Sequence, residues 1–310
     1  MDEQTQYLYS SGKTGTPASS VPEKAQPRLF VSFEQEIMEF TLSGTQSFGR
    51  PSESFMPDIV IVNKYISRKH GTFETTDGVV RYTAGDTTNP TIFNRNTLTP
   101  GETVELLDGD ELTITTGDGD NSSDIILVCA ATNNRIGIWH ELMNASMDNL
   151  TGLPRKNTFL TRYMQNLRQM PGDKNCIFII EIDHIDYLVE HYGKNSADHA
   201  IRLVTDYLNS ILDDRGMVSR WEENKWVGAV AADSRGTYFI MEDFGNDIRR
   251  SLIDGAFHIT LSIGYIDMTK VSGKILNPED LIRKTDEYLQ DTKRNNGRDC
   301  LCEYRPQDDR

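Results

Sequence analysis

The chain has 310 residues, 37% of them hydrophobic and 25% charged, with a net charge of −15; this suits a globular protein of about two domains. The acidity opposes non-specific adsorption to nucleic acid or anionic lipid. No apolar run approaches the roughly 20 residues that span a bilayer, and the opening Met1-Asp2-Glu3-Gln4 lacks the apolar stretch of a secretory signal. A cytoplasmic protein with no nucleic-acid or membrane partner is therefore expected. Cys129, Cys176, Cys300 and Cys302 show no zinc-ligand spacing and read as reduced residues in or near cores.

Residues 1–26 are rich in Ser, Thr, Gly, Pro and charge, and predict a disordered tail. Residues 27–131 read as short strands separated by turn chemistry. The clearest are Leu29–Phe33, Asp58–Val62, Gly71–Glu74, Val79–Tyr82, Thr103–Leu107, Glu111–Thr115 and Ile125–Val128, with turns at Thr76-Asp77-Gly78 and Leu107-Asp108-Gly109-Asp110. Residues 132–147 form a linking helix. Its stripe of Ile136, Trp139, Leu142, Met143 and Met147 needs a neighbouring domain or a second subunit to pack on. From 148 to 305 helices and strands alternate: an amphipathic helix through Phe159, Leu160, Tyr163, Met164 and Leu167 with Pro154 in its first turn; a buried strand Cys176–Ile180; a helix from Ala197 to Ile211; a hairpin; a helix near Phe239–Ile253; a strand His258–Ile263; a helix Pro278–Thr292; and a strand Cys300–Tyr304. Residues 306–310 are left as a tail. The fold expected is two-domain, an all-β sandwich followed by an α+β domain with a central mixed sheet.

In the first half, Gly49-Arg50, Ser67-Arg68-Lys69-His70 and Thr88-Asn89 follow one another in an all-β context. Their order and spacing resemble the signature sites of forkhead-associated (FHA) domains, which bind phosphothreonine peptides through loops at one end of a sandwich. The resemblance implies that Arg50, Ser67 and Arg68 contact phosphate, that Asn89 holds the peptide backbone, and that Gly49 and His70 shape the loops. A guanidinium and a hydroxyl suit that task, since both donate charge-assisted hydrogen bonds to phosphate. The family's usual Gly after the Asn is Pro90 here. The alternative is that these side chains only knit loops together. The implied partner is a phosphothreonine protein downstream of a Ser/Thr kinase. The chain's own tail is a second candidate, because Thr14 and Thr16 stand within an extended span of roughly 36–46 Å of Pro27.

In the second half, Asp148-Asn-Leu-Thr-Gly-Leu-Pro154, Ile259-Thr-Leu-Ser-Ile-Gly264 and Gly297-Arg298 resemble motifs of GGDEF diguanylate cyclases over residues 148–304. The signature hairpin of that family, Arg-Tyr-Gly-Gly-Asp/Glu-Glu-Phe, falls on Arg220-Trp-Glu-Glu-Asn-Lys-Trp226. By this resemblance the metal-binding strand-end Asp is Glu181, the two glycines are Glu222 and Glu223, and the two hairpin acids are Asn224 and Lys225. A phosphate-contacting Lys is Asp186, one guanine reader is Val189, and the other, Asp198, is retained. Lys293 and Arg298 are similar to late phosphate contacts with one extra residue between them. The positions of the product-binding Arg and Asp hold Asp213 and Gly216. An ammonium has no lone pair for Mg²⁺, so Lys225 points to a cyclase fold without cyclase chemistry, and no cofactor is expected. Trp221 and Trp226 are expected to pack across an ordinary hairpin.

Three functions compete on these residues. The first is a non-enzymatic adaptor that binds phosphothreonine and uses its cyclase-like domain for protein contacts or as a homodimer. The second is a relaxed cyclase making cyclic di-GMP from GTP with Mg²⁺. The third is a nucleotide sensor without turnover.

Overall fold

The structure, a computed structural model, describes residues 24–116, 124–169, 174–271 and 278–306. Thr14, Thr16 and the rest of the expected tail up to residue 23 lie outside the described residues, as do 307–310. Strand β1 (Lys24–Phe33) begins inside the stretch expected to be disordered. Lys24 pairs with Thr132 across a bulge before Arg28. This pairing joins backbone groups and needs no apolar side chain, so composition does not reveal it.

The first half stacks two sheets. One has the order β2-β1-β11-β10-β7-β8, from β1, β2 (Glu36–Thr41), β7 (Thr91–Phe93), β8 (Asn96–Thr97), β10 (Glu111–Ile114) and β11 (Ile125–Thr132). The other runs β4-β3-β5-β6-β9, from β3 (Gly44–Gly49), β4 (Ile59–Val60), β5 (Gly71–Thr76), β6 (Val79–Ala84) and β9 (Thr103–Leu106). Leu29, Phe48, Phe73, Tyr82, Leu112 and Leu127 fill the space between them, so the first half is the expected β-sandwich. Strands β2, β3, β7 and β8 were not anticipated. Two of the turns that create them place non-glycine residues in the left-handed region: Glu34 and Gln35 at φ 50° and 63°, and Asn94 and Arg95 at φ 49° and 66°. Such pairs of positive φ make tight hairpins without the Asn-Gly signature that marks them in sequence.

Helix α1 (Asn133–Ala145) is capped by the Thr132 hydroxyl. Its Ile136, Trp139 and Met143 pack on Phe30, Ile37 and Ala130 of the sandwich, which gives the linking helix its neighbour. Leu142 stays 46% exposed, and Met147 lies past the helix end.

The second half is one mixed sheet, β13-β14-β12-β15-β16, with helices on both faces. Its strands are β12 (Cys176–Ile182), β13 (Gly216–Glu222), β14 (Lys225–Val230), β15 (Leu261–Asp267) and β16 (Leu301–Glu303), of which only the β15–β16 pair is parallel. Along β12, residues 176, 178, 180 and 182 face helices α3 (Ile185–Tyr192), α4 (Lys194–Leu212) and α5 (Ser234–Arg250). Ile177 and Ile179 face α2 (Lys156–Gln169) and α6 (Pro278–Asn296). Helix α3 was missed because its eight residues are too short for a clear stripe. The strand expected at 258–263 runs from 261 to 267 instead.

Helix α2 starts at Lys156, two residues after Pro154, so the proline sits ahead of the helix rather than in its first turn. The donors of that first turn are met from the other half of the chain. The Glu36 carboxylate, 4% exposed, accepts from the backbone N–H of Asn157 at 3.0 Å and of Thr158 at 2.7 Å. A negative charge at a helix N-terminus also complements the macrodipole. Val60 of β4, with Met56 and Val62 beside it, joins Phe159, Tyr163, Ile179 and Leu289 in one apolar cluster. The sandwich and the α+β half thus share a core.

Candidate functional sites: the sandwich loops and the hairpin

The loops between β3 and β4, β4 and β5, and β6 and β7 surround a cavity of about 450 Å³. Arg50, Ser67 and Arg68 line it together with Ser52, Ser54, Phe55, Lys69, Asp86 and Thr88. Backbone contacts hold the loops in register: Arg50 N donates to Ser67 O, and His70 N to Phe48 O. Gly49 is needed for close approach, because a Cβ there would lie 2.1 Å from the Arg68 carbonyl oxygen. His70 is fully buried and its Nδ1 accepts from Ser67 N at 3.0 Å. Its Nε2 has no hydrogen-bond partner among the described residues, and burial lowers its pKa to about 4. Asn89 is not part of the cavity wall. One Nδ2 hydrogen goes to the Tyr65 carbonyl at 3.0 Å, which leaves the second Nδ2 hydrogen and Oδ1 for other contacts. Phe55 and Ser52 were overlooked in the sequence, since they belong to none of the signature sites, and Lys69 was quoted there only within its motif, with no role.

In the second half, the turn Asp148–Pro154 and the hairpin are tied together. Asp148 Oδ1 accepts from Thr151 N and its hydroxyl at 2.9 and 2.7 Å, and Gly152 takes φ 69°. Arg220 N donates to Pro154 O, and the Arg220 guanidinium lies 3.8 Å from Asp148. That guanidinium also donates to the carbonyls of Glu222 and Glu223. Burial lowers its pKa, against the opposing pull of Asp148, Asp198 and Glu223, which places the retained Asp198 within electrostatic reach of the hairpin. A bulge at Trp221 sends the two tryptophans to opposite faces of the sheet. Trp226 is fully buried against the α3–α5 side, its indole N–H on Thr205 Oγ1 at 3.1 Å. Trp221 lies edge-on to Phe159 on the α2 side. They do not pack on each other, contrary to the expectation, because an unpaired bulge residue reverses the alternation.

The positions expected to hold metal form a closed network of side chains. Glu181 stands opposite Lys225 in the β12–β14 register. Lys225, 7% exposed, reaches Asp286 at 2.8 Å and Glu222 at 3.3 Å. Burial acts to lower its pKa, but the hydrogen bond and charge of Asp286, with Glu222 and Glu181, outweigh burial and raise it. Glu181 is held at both oxygens, by Lys293 at 2.7 Å and by Gln290 at 2.7 Å. Asp183, 3% exposed, accepts from Thr260, Ser262 and Asp299 N, with Lys293 at 3.7 Å. Divalent metal needs unprotonated, unoccupied oxygens. Here both oxygens of Glu181 are engaged and the hairpin position carries an ammonium, so the residues present do not fit Mg²⁺. Asn224 turns inward as well, its Nδ2 on the Ile182 carbonyl.

Glu223, Asp186 and Val189 are exposed, and Arg298 is exposed on the loop after α6. Lys293 instead belongs to α6, which continues to Asn296 rather than ending at Thr292. Asp286, Gln290 and Lys293 stand at i, i+4 and i+7 on that helix and point at one place. This spacing was open to sequence analysis, as was the alternation that puts Glu181 and Asp183 on one side of a strand.

Comparison with known proteins agrees with this architecture. The profile of the family described as "Diguanylate cyclase, GGDEF domain" matches residues 145–299, and that of the FHA domain matches 47–115. The chain belongs to the GGDEF family and carries an FHA domain ahead of that region. Cyclic di-GMP phosphodiesterase NbdA of Pseudomonas aeruginosa is 26% identical over 91 residues, covering 29% of this chain and 11% of that protein. The chain therefore spans about a tenth of the length of the curated relative it matches. Among solved structures, the coiled coil and GGDEF domain of DgcB from Caulobacter crescentus, in complex with c-di-GMP, is 18% identical with TM-score 0.48, covering 55% of this chain and 92% of that one. The active GGEEF domain of a diguanylate cyclase from Vibrio cholerae is 16% identical with TM-score 0.44, covering 49% and 97%.

Proposed function

We propose that this chain is a cytoplasmic, non-enzymatic signalling adaptor. Its FHA domain docks a phosphothreonine made by a Ser/Thr kinase, and its GGDEF domain serves as an interaction module that does not condense GTP. The observation that carries the reading is the buried Lys225 ammonium, raised in pKa and bound to Asp286 and Glu222 where the family resemblance calls for a metal-binding carboxylate. Metal-assisted attack of a hydroxyl on phosphate draws several kcal/mol from cations at that place. An ammonium with its hydrogens already committed to carboxylates does not substitute for them. The network also counts Glu181, Asp183, Glu222 and Asp286 against two lysines, which disfavours a triphosphate there and so weighs against the nucleotide sensor.

The purified chain incubated with labelled GTP and Mg²⁺ or Mn²⁺ is expected to yield no cyclic di-GMP, and a detectable yield would end this reading of the GGDEF half. Binding of phosphothreonine peptides, lost on removal of phosphate and on Arg50→Ala, is expected of the FHA half.

A further inference from the structure

The FHA cavity carries more positive charge than a single phosphate contact uses. Arg50, Arg68 and Lys69 all line it, with Asp86 as its one acidic wall residue. None of the three has an ion-pair partner among the described residues, although this half of the chain is strongly acidic. Elsewhere in this half Arg28 is matched with Glu39, Arg81 with Glu105, and Arg135 with Asp108. Arg50, Arg68 and Lys69 stand together at one cavity without such partners. Lys69 is also anchored there, its ammonium 5.2 Å from the centroid of the Phe55 ring. That contact places the charge on the Phe55 wall of the cavity.

We propose that this site selects phosphothreonine flanked by acidic residues, with Lys69 as the specificity-determining cation; the inference rests on the phosphopeptide reading given above. An extended peptide advances about 3.3 Å per residue, so side chains one to three positions from the phosphothreonine sweep the wall that holds Lys69. An aspartate or glutamate there meets a cation that has no ion-pair partner among the described residues, while a lysine meets a wall with excess positive charge. Each such rim pair is exposed and adds roughly threefold to fivefold in affinity, and the preference shrinks as salt rises. Thr14, which follows Lys13, and Thr16, which precedes Pro17, do not meet this requirement, because no acidic residue lies between Glu3 and Glu23; Thr5, with Asp2 and Glu3 three and two positions before it, does. The ligand class is an acidic-flanked phosphothreonine segment.

Fluorescence anisotropy on the full chain at low salt tests this with labelled phosphothreonine peptides whose flanks are all Ala, Asp-rich or Lys-rich, plus the unphosphorylated Asp-rich peptide. The expected order is Asp-rich tighter than Ala and Ala tighter than Lys-rich, with the unphosphorylated peptide unbound. Lys69→Glu is expected to bring the ratio of Asp-rich to Lys-rich affinity below one, and Lys69→Ala to bring it towards one. Circular dichroism confirms that each variant is folded. Equal affinity for the three phosphorylated peptides, or a ratio unmoved by Lys69→Glu, overturns the acidic preference and leaves phosphothreonine binding intact. Failure of every phosphorylated peptide, or equal binding of the unphosphorylated one, removes the phosphopeptide reading and the preference with it.

Discussion

A single exchange at position 225 tests the electrostatics of the hairpin. Lys225→Glu would set a carboxylate beside Glu181, Glu222 and Asp286 and remove the ammonium that pairs with the last two. The variant is expected to gain a Mn²⁺-dependent rise in melting temperature that the parent chain lacks. At ten times its dissociation constant the ion is worth about 1.4 kcal/mol, and an identical response from both proteins would show that Lys225 does not block the site. A second test concerns His70. Its imidazole has a pKa lowered by burial to about 4, against about 6.5 when unfolded. The unfolded chain therefore binds the extra proton first, so stability is full above pH 6.5 and falls as pH drops towards 4, by about 3 kcal/mol on this group alone. Protonation at Nδ1 also breaks the bond from Ser67 N. Urea midpoints at pH 7.5 and pH 5 are expected to converge in His70→Gln relative to the parent, and an unchanged gap would assign the loss to other groups.

At the scale of elements, α2 offers the sharpest case. Glu36→Ala leaves the Asn157 and Thr158 N–H groups without their acceptor and is expected to cost about 1–2 kcal/mol. Hydrogen exchange should locate the loss at those two amides, and unaltered protection there would mean that water replaces the carboxylate at no cost. The cap was invisible in sequence because its donor and acceptor stand more than 120 residues apart. Elements with local signals were legible: Asp77-Gly78 takes the positive-φ pair its residues suggest, and the apolar run at Cys176 is the central strand. Strands joined by Glu34-Gln35 and Asn94-Arg95 were not, since tertiary pairing imposes those backbone angles on residues that do not advertise them. The same division holds at the hairpin. The types at 222–225 suggested lost metal chemistry, whereas the identity of the new partners, Asp286 and Gln290, depended on how α6 lies across β12.

For the whole molecule, the shared cluster of Val60, Phe159, Tyr163, Ile179 and Leu289 implies that the two halves unfold together. Calorimetry is expected to give one transition for the parent and two for Val60→Asp, which buries a charge without a counterion in that cluster; two transitions in the parent would show that the junction contributes little. The inward ammonium groups of Lys225 and Lys293 carry a further consequence. A pocket whose acids are satisfied by tethered side chains has nothing to gain from dissolved metal. On the reading proposed above, the second half would be deaf to swings in the cell's free magnesium and guanine-nucleotide pools. News would reach this protein only by touch, through another macromolecule seated on its surface.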